Sequence, residues 1–297
     1  MSAQPFRSGF VSIAGRPNVG KSTLMNALVG EKVAIASSRP QTTRNALRGI
    51  LNRETFQIIF VDTPGLHKAV TPLGRRLNSL VSRTISEVDV GVFVGDASEQ
   101  IGTGDFYAAR QILDAGIPAL CVLNKADKVQ PPRLLEQIEA ARKLGAWVDV
   151  LTTSARRKTG LNFLVDAIVK LLPPGPALYP QDMVSDQPEE LAIAEIIREK
   201  VLELTREEIP HSVAVQIEEM EQRENSDIFD VFASIYVERD SQKGILIGRG
   251  GKMLKEVGSR ARVDLEARVG GRVFLDLRVK VADNWQRDDR ALDDFGY

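Results

Sequence analysis

"GRPNVGKST", residues 15–23, places two glycines, a lysine and two hydroxyl side chains between the apolar run Phe10–Ala14 and the segment Leu24-Met25-Asn26-Ala27-Leu28. Gly15-x-x-x-x-Gly20-Lys21-Ser22, set between a strand and a helix, is the pattern of a phosphate-binding loop. The glycines let the backbone curl until successive N–H groups converge on phosphate oxygens, and the following helix adds the positive end of its dipole. On this reading Gly15, Arg16, Pro17, Asn18, Val19, Gly20, Lys21, Ser22 and Thr23 line a nucleotide. Lys21 is expected to reach the β and γ phosphates. The Ser22 hydroxyl is expected to hold Mg²⁺, whose remaining positions are taken largely by water and phosphate oxygen.

Working outward, apolar strand-like runs recur at Phe56–Val61, Val88–Gly95, Ala119–Leu123 and Trp147–Thr152. Between them Leu73, Leu77, Leu80, Val81 and Ile85 keep helical spacing, as do Leu134, Leu135, Ile138 and Ala141, and a helix is expected over 161–172. The alternation predicts an α/β domain over 1–172 with a mixed, mostly parallel sheet. Pro173-Pro174-Gly175-Pro176, with Pro180 and Pro188 downstream, cannot continue a helix, and the spacing predicts a semi-stiff linker at 173–187.

A smaller α+β domain is expected over 188–297. Pro188-Glu189-Glu190 opens a helix with Leu191, Ala194, Ile197, Val201 and Leu204 on one face. Two β-rich runs, Val213–Met220 and Phe229–Val237, precede "ILIGRGGKMLKEVG" at 245–258, a helical stretch Met253–Val269 and a last strand Val273–Val281. The predicted order is α-β-β-α-β, with the glycines at a turn before a helix.

At 297 residues and 43% hydrophobic composition the chain can fill a core in each domain. No apolar run approaches the ~18–20 residues that span a bilayer, and no charged-then-apolar signal pattern is expected at the start. A single cysteine cannot form an internal disulfide, which fits a cytosolic setting. Residues 181–237 carry 15 acidic and 4 basic side chains, whereas 238–280 carry 11 Lys/Arg against 6 Asp/Glu. The second stretch therefore suits a polyanion.

Asn124-Lys125-Ala126-Asp127, directly after an apolar run, decides the base. A carboxylate at a strand end accepts both N1–H and N2–H₂ of guanine, while adenine offers no matching donors. Such a site can discriminate by roughly 10⁴–10⁵. Ser154-Ala155-Arg156 is placed to direct a backbone N–H at guanine O6. Asp62-Thr63-Pro64-Gly65-Leu66 supplies the other half of the metal site: Asp62 toward Mg²⁺, and the Gly65 N–H toward the γ-phosphate. In the polar stretch Gln41-Thr42-Thr43-Arg44 one threonine should complete the metal shell, Thr43 being favoured over Thr42. Lys21, Thr43 and Gly65 are thus the groups expected to act on the terminal phosphate. Closure of the 37–45 and 62–72 loops would report its presence.

Together Gly15–Ser22, Thr42/Thr43, Asp62–Gly65, Asn124–Asp127 and Ser154-Ala155 resemble the translation-factor-like GTPases, and "GRPNVGKST" with "DTPGLH" is most similar to the Era group. In that group an asparagine at the place of Asn18 is implicated in binding K⁺ beside the phosphates. Leu66 stands where Ras-like enzymes carry a water-orienting glutamine. Leucine cannot hydrogen-bond a nucleophilic water, so slow intrinsic hydrolysis of GTP to GDP is expected, nearer ~10⁻⁴–10⁻² s⁻¹ than the ~1–100 s⁻¹ of kinases.

In the second domain Ile247-Gly248-Arg249-Gly250-Gly251-Lys252 fits the GXXG loop of a KH module, where glycines admit a nucleic-acid backbone and Arg249 and Lys252 supply charge. Arg260, Arg262, Arg268, Arg272 and Lys280 would widen the basic surface. A type II KH module after a GTPase domain again resembles the Era family. The resemblance implies binding near the 3′ end of small-subunit ribosomal RNA, a part in 30S maturation, peripheral attachment to the inner membrane, a monomer, and no DNA partner. Cys121, Trp147, Trp285, His67 and His211 are read as packing or surface residues. The rival readings are a constitutive RNA-binding protein stabilised by guanine nucleotide and an NTP-driven enzyme with its own substrate.

Overall fold

The computed structural model describes residues 5–35, 43, 44, 46–66, 71–206 and 209–297. The chain forms two compact units that divide between Asp186 and Gln187, with 71–73 counted in the second.

The first unit runs β1 Arg7–Ala14, α1 Lys21–Val29, β2 Leu47–Asn52, β3 Phe56–Asp62, α2 Pro72–Ser86, β4 Val90–Asp96, α3 Thr103–Leu113, β5 Ala119–Asn124, α4 Pro131–Arg142, β6 Asp149–Thr152 and α5 Leu161–Leu171. Its sheet order is β2-β3-β1-β4-β5-β6. All neighbours are parallel except β2, which pairs antiparallel with β3. Burial on both faces explains why β4 and β5 read as unbroken apolar runs. Gly15, Asp62, Asp96, Asn124 and Thr153 all stand at or just beyond the carboxyl ends of parallel strands, the edge where open α/β sheets bind ligands.

Strand β2 has no counterpart in the sequence reading. Its six residues, LRGILN, mix a glycine with arginine and asparagine and show no alternation, so only pairing with β3 defines it. The segment expected to be a linker is instead a strap bound to the first unit. Gln57, 1% exposed, accepts the Leu178 and Tyr179 N–H groups at 2.7 and 2.9 Å and donates to the Tyr179 carbonyl at 2.8 Å. The Ile50 N–H donates to the Val184 carbonyl at 2.9 Å, Ser185 Oγ to the Arg48 carbonyl at 2.7 Å, and Arg48 pairs with Asp186 at 2.7 Å. An edge strand offers unpaired backbone groups, and the strap covers part of that edge. The first unit therefore ends at 186 rather than at 172.

The second unit comprises α6 Glu189–Leu204, α7 Ile209–Ser212, β7 Ala214–Gln222, β8 Ile228–Val237, α8 Asp240–Ile247, α9 Lys252–Val269, β9 Arg272–Val281 and α10 Asp289–Asp294. Strand β8 pairs antiparallel with β7 and parallel with β9. A parallel pair needs a crossover, and α8 with α9 provides it. Ile193, Ile197 and Val201 of α6 and Val257, Ala261 and Leu265 of α9 close the core over Val231, Ala233 and Ile235. Helix α8 was missed from sequence because Gly244 lies in its interior and Ile245-Leu246-Ile247 reads as a strand. Among the described residues no helix is long and apolar enough to cross a membrane.

Candidate nucleotide site and nucleic-acid turn

The phosphate-binding loop connects β1 to α1. Gly20 has φ 98°, and a Cβ there would come within 2.5 Å of Asn124 Nδ2, so glycine is required on both counts. The loop is held by side chains from elsewhere in the fold. Asn124 Nδ2 donates to the Val19 carbonyl at 3.0 Å, and its Oδ1 accepts the Ala155 N–H at 3.0 Å. Lys125 Nζ donates to the Asn18 carbonyl and to Asp96 Oδ2, each at 2.6 Å. Asp96, at the end of β4, was missed from sequence, although its position after "VFVG" matches that of Asp62 and Asn124 at their strand ends. Burial pulls its carboxyl up, but Lys125 and Ser98 together hold it below the usual carboxylate range.

Lys21, Ser22, Thr43 and Asp62 converge at the start of α1. Ser22 Oγ donates to Asp62 Oδ2 at 2.6 Å, Thr43 Oγ1 donates to the same oxygen at 3.0 Å, and the two hydroxyls lie 3.1 Å apart. Asp62 is fully buried, and its Oδ1 has no hydrogen-bond partner. A buried carboxylate oxygen left over beside two hydroxyls is the hard-oxygen donor set that Mg²⁺ takes. Burial pushes the Asp62 carboxyl up and the Lys21 ammonium down to about 8, against their mutual attraction. A phosphate polyanion beside Lys21 would favour its charged form. Thr42 and His67 lie outside the described residues.

Three residues placed at the nucleotide by sequence have their side chains engaged elsewhere. Thr63 Oγ1 donates to the Ile13 carbonyl at 2.9 Å. Leu66 is buried in the core beside Ala14, Val81 and Phe93, because an apolar side chain gains more there than over phosphates. The Arg16 guanidinium turns to acidic residues near the start of α3. Their backbones still belong to the loop regions, the Leu66 N–H donating to the Gly15 carbonyl at 3.2 Å.

At the base end, Asp127 accepts the Ser154 hydroxyl at 2.5 Å, and that bond holds its carboxyl below the usual range. Ser154 and Ala155 are buried, Arg156 is exposed, and the Arg157 N–H donates to Ser154 Oγ at 3.1 Å. The Ala155 N–H, donated to Asn124 Oδ1, ties this segment to the end of β5.

In the second unit the GXXG sequence is the turn from α8 into α9. Gly248 has φ 74°, and a Cβ there would stand 2.7 Å from that of Met253. Arg249 and Lys252 are exposed, Ile247 is half-buried, and Ile245 is 57% exposed. Of the wider basic set, Arg260 pairs with Glu256, Arg268 with Glu189 and Lys280 with Glu218, while Arg262 and Arg272 are exposed. The two tryptophans are packing residues: Trp147 stacks on Phe93 with centroids 5.5 Å apart, and Trp285 is fully buried. Cys121 lies in the core, and burial pushes its thiol up to about 12.

The family of 50S ribosome-binding GTPases matches residues 10–125, and the KH domain matches 208–286. GTPase Era of Mycolicibacterium smegmatis is 52% identical over 296 residues, covering 98% of this chain and 99% of that one. The chain belongs to the Era family of GTPases. GTPase Era of Streptomyces coelicolor is 49% identical over 303 residues, covering 98% and 95%. An Aquifex aeolicus Era variant bound to GDP and AlF₄⁻ superimposes with TM-score 0.95 at 39% identity, covering 98% and 99%. So does an Era structure in complex with MgGDPNP and nucleotides 1506–1542 of 16S ribosomal RNA, with the same score and identity. As an Era GTPase the chain hydrolyses GTP, and its two units are a mixed-sheet P-loop GTPase domain and a KH domain.

Proposed function

We propose that this chain is a slow GTP-driven switch that binds small-subunit ribosomal RNA near its 3′ end and assists 30S assembly. The GTPase role falls to residues 1–172 with the 173–186 strap, and the RNA role to 188–297. The observation that carries the reading is the pairing on one chain of the Asp62–Ser22–Thr43 cluster with an exposed Arg249/Lys252 glycine turn. The Era relative whose structure contains a 16S RNA fragment supports the choice of RNA.

In the proposed mechanism the amides of 18–22 cradle the phosphates and the Lys21 ammonium faces the β and γ oxygens. Ser22, Thr43 and Asp62 would hold magnesium, which when bound neutralises charge on those oxygens. The Gly65 N–H meets the γ-phosphate, and Asp127 selects guanine. Leu66, buried in the core, orients no water, which accounts for slow turnover. K⁺ at Asn18, a monomeric state, a cytoplasmic location and peripheral membrane attachment complete the reading on the strength of the family resemblance.

The test is RNA affinity measured with a GTP analogue and with GDP, using a fragment from the 3′ end of 16S RNA. A difference of about fivefold or more is expected for real coupling between the sites. Equal affinities would remove the switch and leave the constitutive RNA binder; absence of RNA binding in both states would remove the ribosomal reading.

A further inference from the structure

Arg16 sits inside the phosphate-binding loop, yet its side chain faces away from it. Its Nε donates to Asp105 Oδ1 at 2.8 Å and an Nη to Glu99 Oε2 at 2.7 Å. Asp105 is 2% exposed and lies in the first turn of α3, where its other oxygen accepts the Gly102 N–H at 3.0 Å. The helix cap therefore fixes the carboxylate independently of Arg16. The Glu99 side chain is 57% exposed, and exposed pairs contribute little. Asp105 is the anchor.

What Arg16 holds gives the contact its meaning. On one side of it the Gly15 carbonyl accepts the Leu66 N–H at 3.2 Å. On the other, Pro17 lies so close to Gly65 that a Cβ there would come within 2.8 Å of the proline ring. The Lys21 ammonium rests on the Arg16 carbonyl at 3.1 Å. The 15–17 arm and the 65–66 segment are thus packed as one piece. Residues 18 and 19 are tied separately, by Lys125 and Asn124.

We infer that Arg16, anchored on Asp105, is a positioning residue for the terminal phosphate: it fixes the 15–17 arm, and through it the Gly65 N–H, so that the site tells triphosphate from diphosphate. The inference rests on the nucleotide-site reading above. Diphosphate binding leans on the part of the loop that Asn124 and Lys125 hold, and is expected to survive loss of the anchor.

The experiment compares wild type with Asp105→Asn, Arg16→Ala and Arg16→Lys. Asp105→Asn removes the charge but keeps an oxygen for the Gly102 N–H, so α3 retains its cap. Calorimetry with magnesium gives affinities for GDP and for a non-hydrolysable GTP analogue, and single-turnover assays give the hydrolysis rate. In Asp105→Asn and Arg16→Ala, analogue affinity and hydrolysis are each expected to fall about tenfold, the scale of a small displacement at a reacting centre, with GDP affinity within about twofold of wild type. Arg16→Lys should recover part of the loss. Equal losses for both nucleotides that track a lowered Tm, or no change for either, would overturn the inference. A wild type that binds neither nucleotide would overturn the site reading and this inference with it.

Discussion

The two functional regions of this molecule are built in opposite ways. At the nucleotide site the polar groups are buried and tied to one another: Lys21 is 7% exposed, Asn124 2% and Asp62 0%. At the glycine turn of the KH unit Arg249 and Lys252 stand exposed on a short turn between two helices. The first arrangement selects one ligand by leaving buried groups unsatisfied unless the right atoms arrive. The second suits a polyanion, which accessible charge attracts without burying it. Changes at the first region should therefore act on specificity and stability together, and changes at the second on affinity alone.

The sharpest way to break that contrast is Asp127→Asn. Guanine nucleotide affinity is expected to fall by roughly 10⁴, and xanthosine nucleotides, whose exchanged donor and acceptor match an amide, should recover it. Titration of both nucleotides against both proteins decides it; an asparagine variant that still prefers guanine would mean the base is read elsewhere.

A smaller effect is expected at the turn. Arg249→Ala with Lys252→Ala should weaken RNA binding by about tenfold and reduce the slope of log affinity against log salt by roughly 1–2, with thermal stability unchanged. A Tm that falls with the affinity would show that the turn, like the nucleotide site, is structurally tied.

The smallest effect concerns Asp96, the carboxylate that holds Lys125, which in turn donates to the Asn18 carbonyl of the phosphate-binding loop. Its folded-state carboxyl is held below its ordinary value, so its contribution to stability is present above the unfolded carboxylate pKa and lost as pH falls through the lower, folded one. Asp96→Asn is expected to be less stable than wild type at neutral pH, with the gap closing as denaturation is followed into the acid range. A gap that stays constant to low pH would remove the ionic part of the contact.

Much of the candidate nucleotide site was legible because the residues that converge there lie within short motifs at strand ends, where local sequence dictates local geometry. Gly20, Lys21, Asp62 and Asn124 needed no tertiary information to be named. Asp96 and Asp105 did need it: each acts through a partner far along the chain, and neither carries a motif of its own. The strap was misread for a related reason. Proline-rich composition excludes a helix but does not say whether an extended segment lies free or docks on an edge strand, and the Gln57 amide that receives it is more than a hundred residues away. Helix α8 was hidden by its glycine and its apolar end, and only its place as crossover between parallel strands makes it a helix.

By itself the sequence determined the glycine loop between β1 and α1, the Asn124–Asp127 motif at the end of β5, the alternating α/β plan and the glycine turn, since each depends on backbone freedom or side-chain chemistry within a few consecutive residues. The tertiary structure alone decided which way Arg16 points, that Leu66 belongs to the core, and where the first unit ends. Those outcomes depend on which distant groups offer a burial site or an unpaired hydrogen-bonding partner, and folding settles that by competition across the whole chain.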